Sequence, residues 1–129
     1  MDFQLSDDQR MIAENVRQLS ESFGLDYWLE RDRTKTYPHD FVKAFADAGW
    51  LGIAIPEAYG GAGLGIMEAC ILLQEICASG AGTSGSSPIH FAIFPPMPIV
   101  KYGSEEQKQR FLPSIADGSM ALGFSITEP

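Results

Sequence analysis

Two Ser-x-x-Gln boxes stand near the ends of the chain, Ser6 with Gln9 and Ser104 with Gln107. In such a box the serine hydroxyl accepts from the third amide of a helix while the glutamine side chain accepts from the serine amide. The chain between the two boxes is cut by glycine and proline into helix-length pieces. Behind the first box, Asp7 and Asp8 suit the positive end of a helix dipole. Ile12, Val16, Leu19 and Phe23 then recur at helical spacing up to Gly24. Asp26 to Arg33, with Tyr27, Trp28 and Leu29, reads as a brief helix or a turn. Pro38 opens a second helix that buries Phe41, Phe45 and Ala48 and stops at Gly49. Residues 49 to 65 are glycine-rich and irregular.

From Ile66 to about Ser79 the apolar positions Ile66, Ala69, Cys70, Leu73, Ile76 and Cys77 mark the most hydrophobic helix of these. The small-residue stretch GAGTSGSS reads as a second loop, leading to Pro88 and a fourth helix. Pro95, Pro96 and Pro98 force that helix to bend or restart, and Gly103 ends it. The second box starts a fifth helix, which Pro113 interrupts and Gly118 closes. Met120, Leu122, Phe124 and Ile126 then alternate with small or polar residues, the period of a strand. The expected fold is all-α: an orthogonal or up-down helical domain of about five helices over residues 1–118. Residues 119–129 are expected to be the first strand of a β-domain.

At 129 residues the chain fits one domain able to bury roughly two-thirds of its unfolded surface. The net charge of −8 argues against a nucleic-acid surface, which needs clustered Lys and Arg. Cys70 and Cys77, seven residues apart on one helix, lie roughly 10 Å apart, too far for a disulfide. They read as free thiols filling the core, in a reducing compartment. No apolar run approaches the roughly 20 residues needed to span a membrane. MDFQLSDDQR has neither signal nor transit character, which points to the cytoplasm.

Glycines 60, 61, 63 and 65 lack the Lys-Ser/Thr of a phosphate loop and read as a structural turn. Glu57 and Glu128 make a poor acid/base pair, and His39 and His90 are too few for a metal site. Local chemistry alone leaves the purpose open.

Four stretches in order, LSDDQRMI, FADAGWLGIAIPEAYGGAG, PIVKYGSEEQKQRFLPSIADG and GFSITEP, resemble the N-terminal helical domain of the acyl-CoA dehydrogenases. The last two carry most of the specificity. The resemblance implies that Thr-Glu-Pro continues into a middle β-domain and a C-terminal four-helix bundle. This chain is then expected to be a fragment or engineered domain, inactive alone. Family enzymes desaturate an acyl-CoA thioester: a carboxylate takes the α-proton while a hydride passes to N5 of FAD. An electron-transferring flavoprotein reoxidises the cofactor.

That carboxylate belongs to the C-terminal bundle, so the resemblance implies no catalytic residue here. It implies flavin contacts at Phe124, Ile126 and Thr127, with the Ile126 amide and the Thr127 amide and hydroxyl as donors. It implies an acyl-tail lining at Ser87, His90, Phe91 and Phe94. Bulky Phe91 and Phe94, followed by Pro95-Pro96, suggest a short or compact acyl group. The parent is expected to be a bacterial, cytoplasmic homo-oligomer, a tetramer, with no nucleic acid and no membrane span. Two other readings stay open: a stand-alone helical interaction module, and a flavin monooxygenase or nitroalkane oxidase of the same superfamily.

Overall fold

The computed structural model describes residues 4–123 and 125. Seven α-helices follow one another: α1 (Asp7–Glu21), α2 (Gly24–Thr34), α3 (His39–Asp47), α4 (Ile66–Ile76), α5 (Gly82–Ile93), α6 (Met97–Tyr102) and α7 (Glu105–Ala116). The fold is all-α, as expected. The segment left open between helix and turn is α2, and the proline-rich helix restarts as α6, with the Met97 amide bonded to the Phe94 carbonyl. Among the described residues no helix is long and apolar enough to cross a membrane.

Both capping boxes form, and the first does more than cap. Gln9 receives the Ser6 amide on Oε1 and donates from Nε2 to Glu68 Oε1 at 2.8 Å. The other oxygen of Glu68 accepts the Gly65 amide at the start of α4. Two helix N-termini are thus joined through one carboxylate. Further along, Arg17 Nε donates to Glu75 Oε2 at 2.8 Å. Because 9 meets 68 and 17 meets 75, α1 and α4 run parallel. Between the clamps Ile12, Ala13 and Val16 pack in one cluster with Ala69, Leu72 and Ile76. Glu75 is buried, and its carboxylate is tolerable there because a guanidinium answers it.

The same core continues through edge-to-face aromatics. Phe41 meets Phe23 at 5.1 Å and Trp28 at 4.8 Å between ring centroids, and Phe45 lies beside it. A second, smaller cluster of Ile55, Leu112, Ile115 and Ala116 gathers α7 against the loop of residues 49–65. That loop is held by its own backbone. The Ala62, Gly63 and Leu64 amides donate to the Gly52, Ile55 and Ile53 carbonyls. A Cβ on Gly61 would stand 2.0 Å from the Ile55 oxygen, so this position admits only glycine. The glycines therefore serve a structural turn.

Several expectations need correction. Cys70 and Cys77 are exposed free thiols rather than core fillers. At 100° per residue the buried face of α4 runs through Ala69, Leu72 and Ile76, leaving 66, 70 and 77 on the outer side. GAGTSGSS is not a loop throughout, because its residues from Gly82 onward form the first half of α5. Gly85 is small there because a Cβ would press on Ala81, Ile76 and Trp28. Its role is close packing, not a turn. Likewise α7 runs through Pro113 without the expected interruption.

No strand forms among the described residues. The Met120 amide bonds to the Ser114 carbonyl, and Met120 and Leu122 pack against the second cluster. The rest of the expected strand, Phe124 and Ile126 to Pro129, lies outside the described residues.

Two outcomes follow for stability. Gly61→Ala should cost upward of about 2 kcal/mol in urea unfolding, since backbone must move to admit the methyl. Gly60→Ala, at φ +83 in open space, should cost only about 1 kcal/mol for its left-handed conformation.

The Glu68 carboxyl is held below its ordinary value of 4.5 by the Gln9 side chain, its own amide and the Gly65 amide. A depressed folded-state pKa gives stability that is present above the unfolded value and lost as pH falls through the folded one. Glu68→Gln should therefore be less stable than wild type near neutrality, and the gap should close on acidification below about pH 4.5. Denaturant melts at the two pH values read this directly.

Candidate functional site

Helix α5 carries Ser84, Ser87 and Phe91 at helical spacing along one side. This side meets the start of α3 and the chain after α7, and the three enclose a cavity of about 490 Å³. Ser87, Phe91, Val42, Leu51, Met120 and Leu122 are among its walls. That volume lies within the usual range of about 300–1,000 Å³ for small-molecule sites. The lining is mainly apolar, with the hydroxyls of Thr83, Ser84 and Ser87 as its sparse polar groups. Tyr37 stands half-exposed at its edge, where partial burial pushes the phenol pKa up.

The four residues expected to line an acyl tail divide into two pairs. Ser87 and Phe91 line the cavity. His90 and Phe94, one turn apart on a neighbouring side of α5, lie against each other at 4.8 Å between ring centroids and outside the lining. His90 also meets the Phe91 ring edge-on at 5.6 Å, so it buttresses a lining residue. Phe124, Ile126 and Thr127, expected at the flavin, lie outside the described residues. Glu57 is exposed, and Glu128 is likewise outside the described residues. Among the described residues, no group of three His, Cys, Asp or Glu side chains could hold a metal ion.

Sequence reasoning missed the opposite wall of the cavity. Tyr37, Pro38 and Val42 come from the entry to α3, and Met120 and Leu122 from the tail. The tail residues did carry a signal. Their alternation marks an apolar face, and among the described residues Met120 and Leu122 pack against the second cluster and line the cavity. Nothing in the spacing of Tyr37 and Val42 separates them from ordinary helix-face residues.

Residues 6–119 match the family model for the acyl-CoA dehydrogenase N-terminal domain. An acryloyl-CoA reductase (NADH) of Anaerotignum propionicum is 34% identical over 129 residues, covering all of this chain and 32% of its own length. Acyl-CoA dehydrogenase FadE12 of Mycobacterium tuberculosis is 32% identical over 127 residues, covering 96% of this chain and 31% of its own. A solved chain from work on the electron transferring flavoprotein of Acidaminococcus fermentans superposes with a TM-score of 0.84 at 30% identity. It covers 94% of this chain and 32% of that one. The chain thus spans about a third of the length of the relatives it matches. A helical domain of this topology, matched nearly end to end by that family model, belongs to the acyl-CoA dehydrogenase family of oxidoreductases as its N-terminal domain.

Proposed function

We propose that this chain supplies one wall of the acyl-binding site, and the approach to the flavin, in an FAD-dependent acyl-CoA dehydrogenase. The observation that carries the reading is the apolar cavity between α5 and the tail, with Phe91 and Ser87 in its lining. Its polar groups are few and uncharged, which suits a hydrocarbon tail entering with its thioester still near water.

The described tail also fits a flavin edge. The Ala121, Leu122 and Gly123 amides have no hydrogen-bond partner among the described residues, and no acidic side chain lies on residues 118–125. Backbone donors free of negative charge are the chemistry that the pyrimidine side of a flavin calls for. Beyond them, the Ile126 amide and the Thr127 amide and hydroxyl would hold that edge, with Phe124 packed beside it. FAD bound there would supply the acceptor for a hydride from the acyl chain. The chain's own part is to bind, orient and exclude water: Phe91 limits depth, Met120 and Leu122 close the side, and the Thr127 hydroxyl stabilises charge gathering on the ring edge.

The substrate is then a short or compact acyl-CoA, and the three-carbon acyl group named for the Anaerotignum relative supports that choice. The electron acceptor is an electron-transferring flavoprotein, in keeping with the setting of the structural neighbour. The parent is a homo-oligomer. Exposed, unpaired Cys70 and Cys77 support a reducing, cytoplasmic setting.

Two measurements on the longer enzyme test this. Phe91→Ala should shift kcat/KM toward longer acyl chains, each added methylene contributing about 0.8 kcal/mol of burial. Phe94→Ala should lower stability and leave the chain-length profile unaltered, because Phe94 lies against His90 outside the cavity. Matching profiles for wild type and Phe91→Ala would remove this helix from the acyl site.

Thr127→Ala should retain FAD yet slow flavin reduction by about ten- to a hundredfold, the value of one hydrogen bond to a developing charge. Stopped-flow reduction by substrate gives the rate. An unchanged rate at full FAD content would take Thr127 out of the mechanism.

A further inference from the structure

The cavity on α5 is wide for its length. Its α5 wall begins at Thr83 and ends at Ala92, a stretch of about 13 Å at the helical rise. Spread over that length, a volume of about 490 Å³ corresponds to a mean cross-section of roughly 40 Å². A hydrocarbon chain with neighbours about 4 Å away on every side needs only roughly 20 Å². A straight tail would therefore leave about half of the cross-section empty, and an apolar void forfeits the contacts of the walls around it. At the Phe91 end there is no further depth to use. There α5 stops at Ile93, and Pro95 and Pro96 after it are buried.

The walls suit a broad, flat occupant. Ring side chains stand on two of them, Tyr37 and Pro38 at the entry to α3 and Pro88 and Phe91 on α5. Such rigid surfaces make their full contact with another rigid surface, and an aromatic pair gains beyond its buried area. From the tail, Met120 brings a thioether, which makes favourable contacts with aromatic rings. Among the described residues no charged side chain lines the cavity. A ring also fills breadth with few rotatable bonds, whereas an open chain must fold back and lose the freedom of several.

We propose that the acyl site selects a tail carrying a six-membered carbocycle, seated between the α3 entry and α5 beside Met120. The proposal rests on the reading of this cavity as the acyl-tail site. Compactness, rather than shortness, is then what the site selects. Phe91 bounds the ring at one end, and Val42 and Leu122 are among the aliphatic walls around it.

The test uses this chain and three thioesters of N-acetylcysteamine: hydrocinnamoyl, which carries a phenyl ring, straight heptanoyl, and its branched isomer isoheptanoyl. Binding is followed by NMR of the methionine methyl groups, with the Met120 signal assigned from Met120→Leu. Hydrocinnamoyl should bind roughly five- to tenfold more tightly than either open chain. Its ring current should also shift the Met120 methyl signal in a way that the open chains do not. Phe91→Leu keeps an apolar wall but removes its ring, and should lower hydrocinnamoyl affinity more than heptanoyl affinity.

Hydrocinnamoyl binding no tighter than heptanoyl would overturn the ring assignment and leave the acyl cavity standing. Isoheptanoyl matching hydrocinnamoyl would overturn it too, because breadth alone would then be what is recognised. A preference without the Met120 shift, or one that Phe91→Leu leaves whole, would put the ring outside this cavity and overturn the proposal. Binding of none of the three would remove the acyl-site reading and this proposal together.

Discussion

The parallel seating of α1 on α4 is the constraint on which the rest of the fold depends. Two polar clamps set its register: the Ser6–Gln9–Glu68–Gly65 chain at one end and Arg17–Glu75 further along. The first clamp satisfies free helix-start amides at the surface, and the second answers a nearly buried carboxylate that would otherwise oppose burial. Neither is strong in an exposed setting, but together they exclude other registers. A one-residue slide of α1 would separate both pairs and turn Ile12 and Val16 away from Leu72 and Ile76. With this pair fixed, Ile76 reaches the back of Gly85, and α5 is drawn close enough for Trp28 and Phe41 to fill the space beside it.

The site follows from that placement. α5 is buried on the side of Ile89 and Ile93 and presents Ser87 and Phe91 to the cavity, with His90 and Phe94 between. One helix face therefore holds the core and another faces the cavity. The tail completes the enclosure because the Met120 amide is bonded back to Ser114 and cannot swing away from α7 without losing that bond.

Much of the fold was legible in the sequence, for local reasons. Ser6, Gln9, Ser104 and Gln107 announce their helices because capping is decided within four residues. What was illegible depends on partners distant in the chain. Glycine and serine in GAGTSGSS have loop propensity, and only the presence of Trp28 and Ile76 around Gly85 explains a helix there. Cys70 and Leu72 are both apolar, and the sequence cannot say which of two adjacent apolar faces meets α1 until Gln9 and Glu68 set the rotation. Of the cavity's lining, Ser87 and Phe91 were named by resemblance, whereas Tyr37 and Val42 required the cavity itself.

The composition of α5 also bears on the order in which the molecule assembles. Gly82, Thr83, Ser84, Gly85, Ser86, Ser87 and Pro88 are poor helix formers, and Pro88 forgoes the bond to Ser84. Such a segment gains nothing by coiling alone, since nucleation is unfavourable and propagation barely compensates. Its helix exists only against a surface already built by α1, α4 and the aromatic group around Phe41. On that composition it is expected to be a late element of folding, with φ-values near zero along Gly82–Ile93. Substitutions along it should then act mainly on how fast the native state unravels, and those at the α1–α4 seat on how fast it is reached.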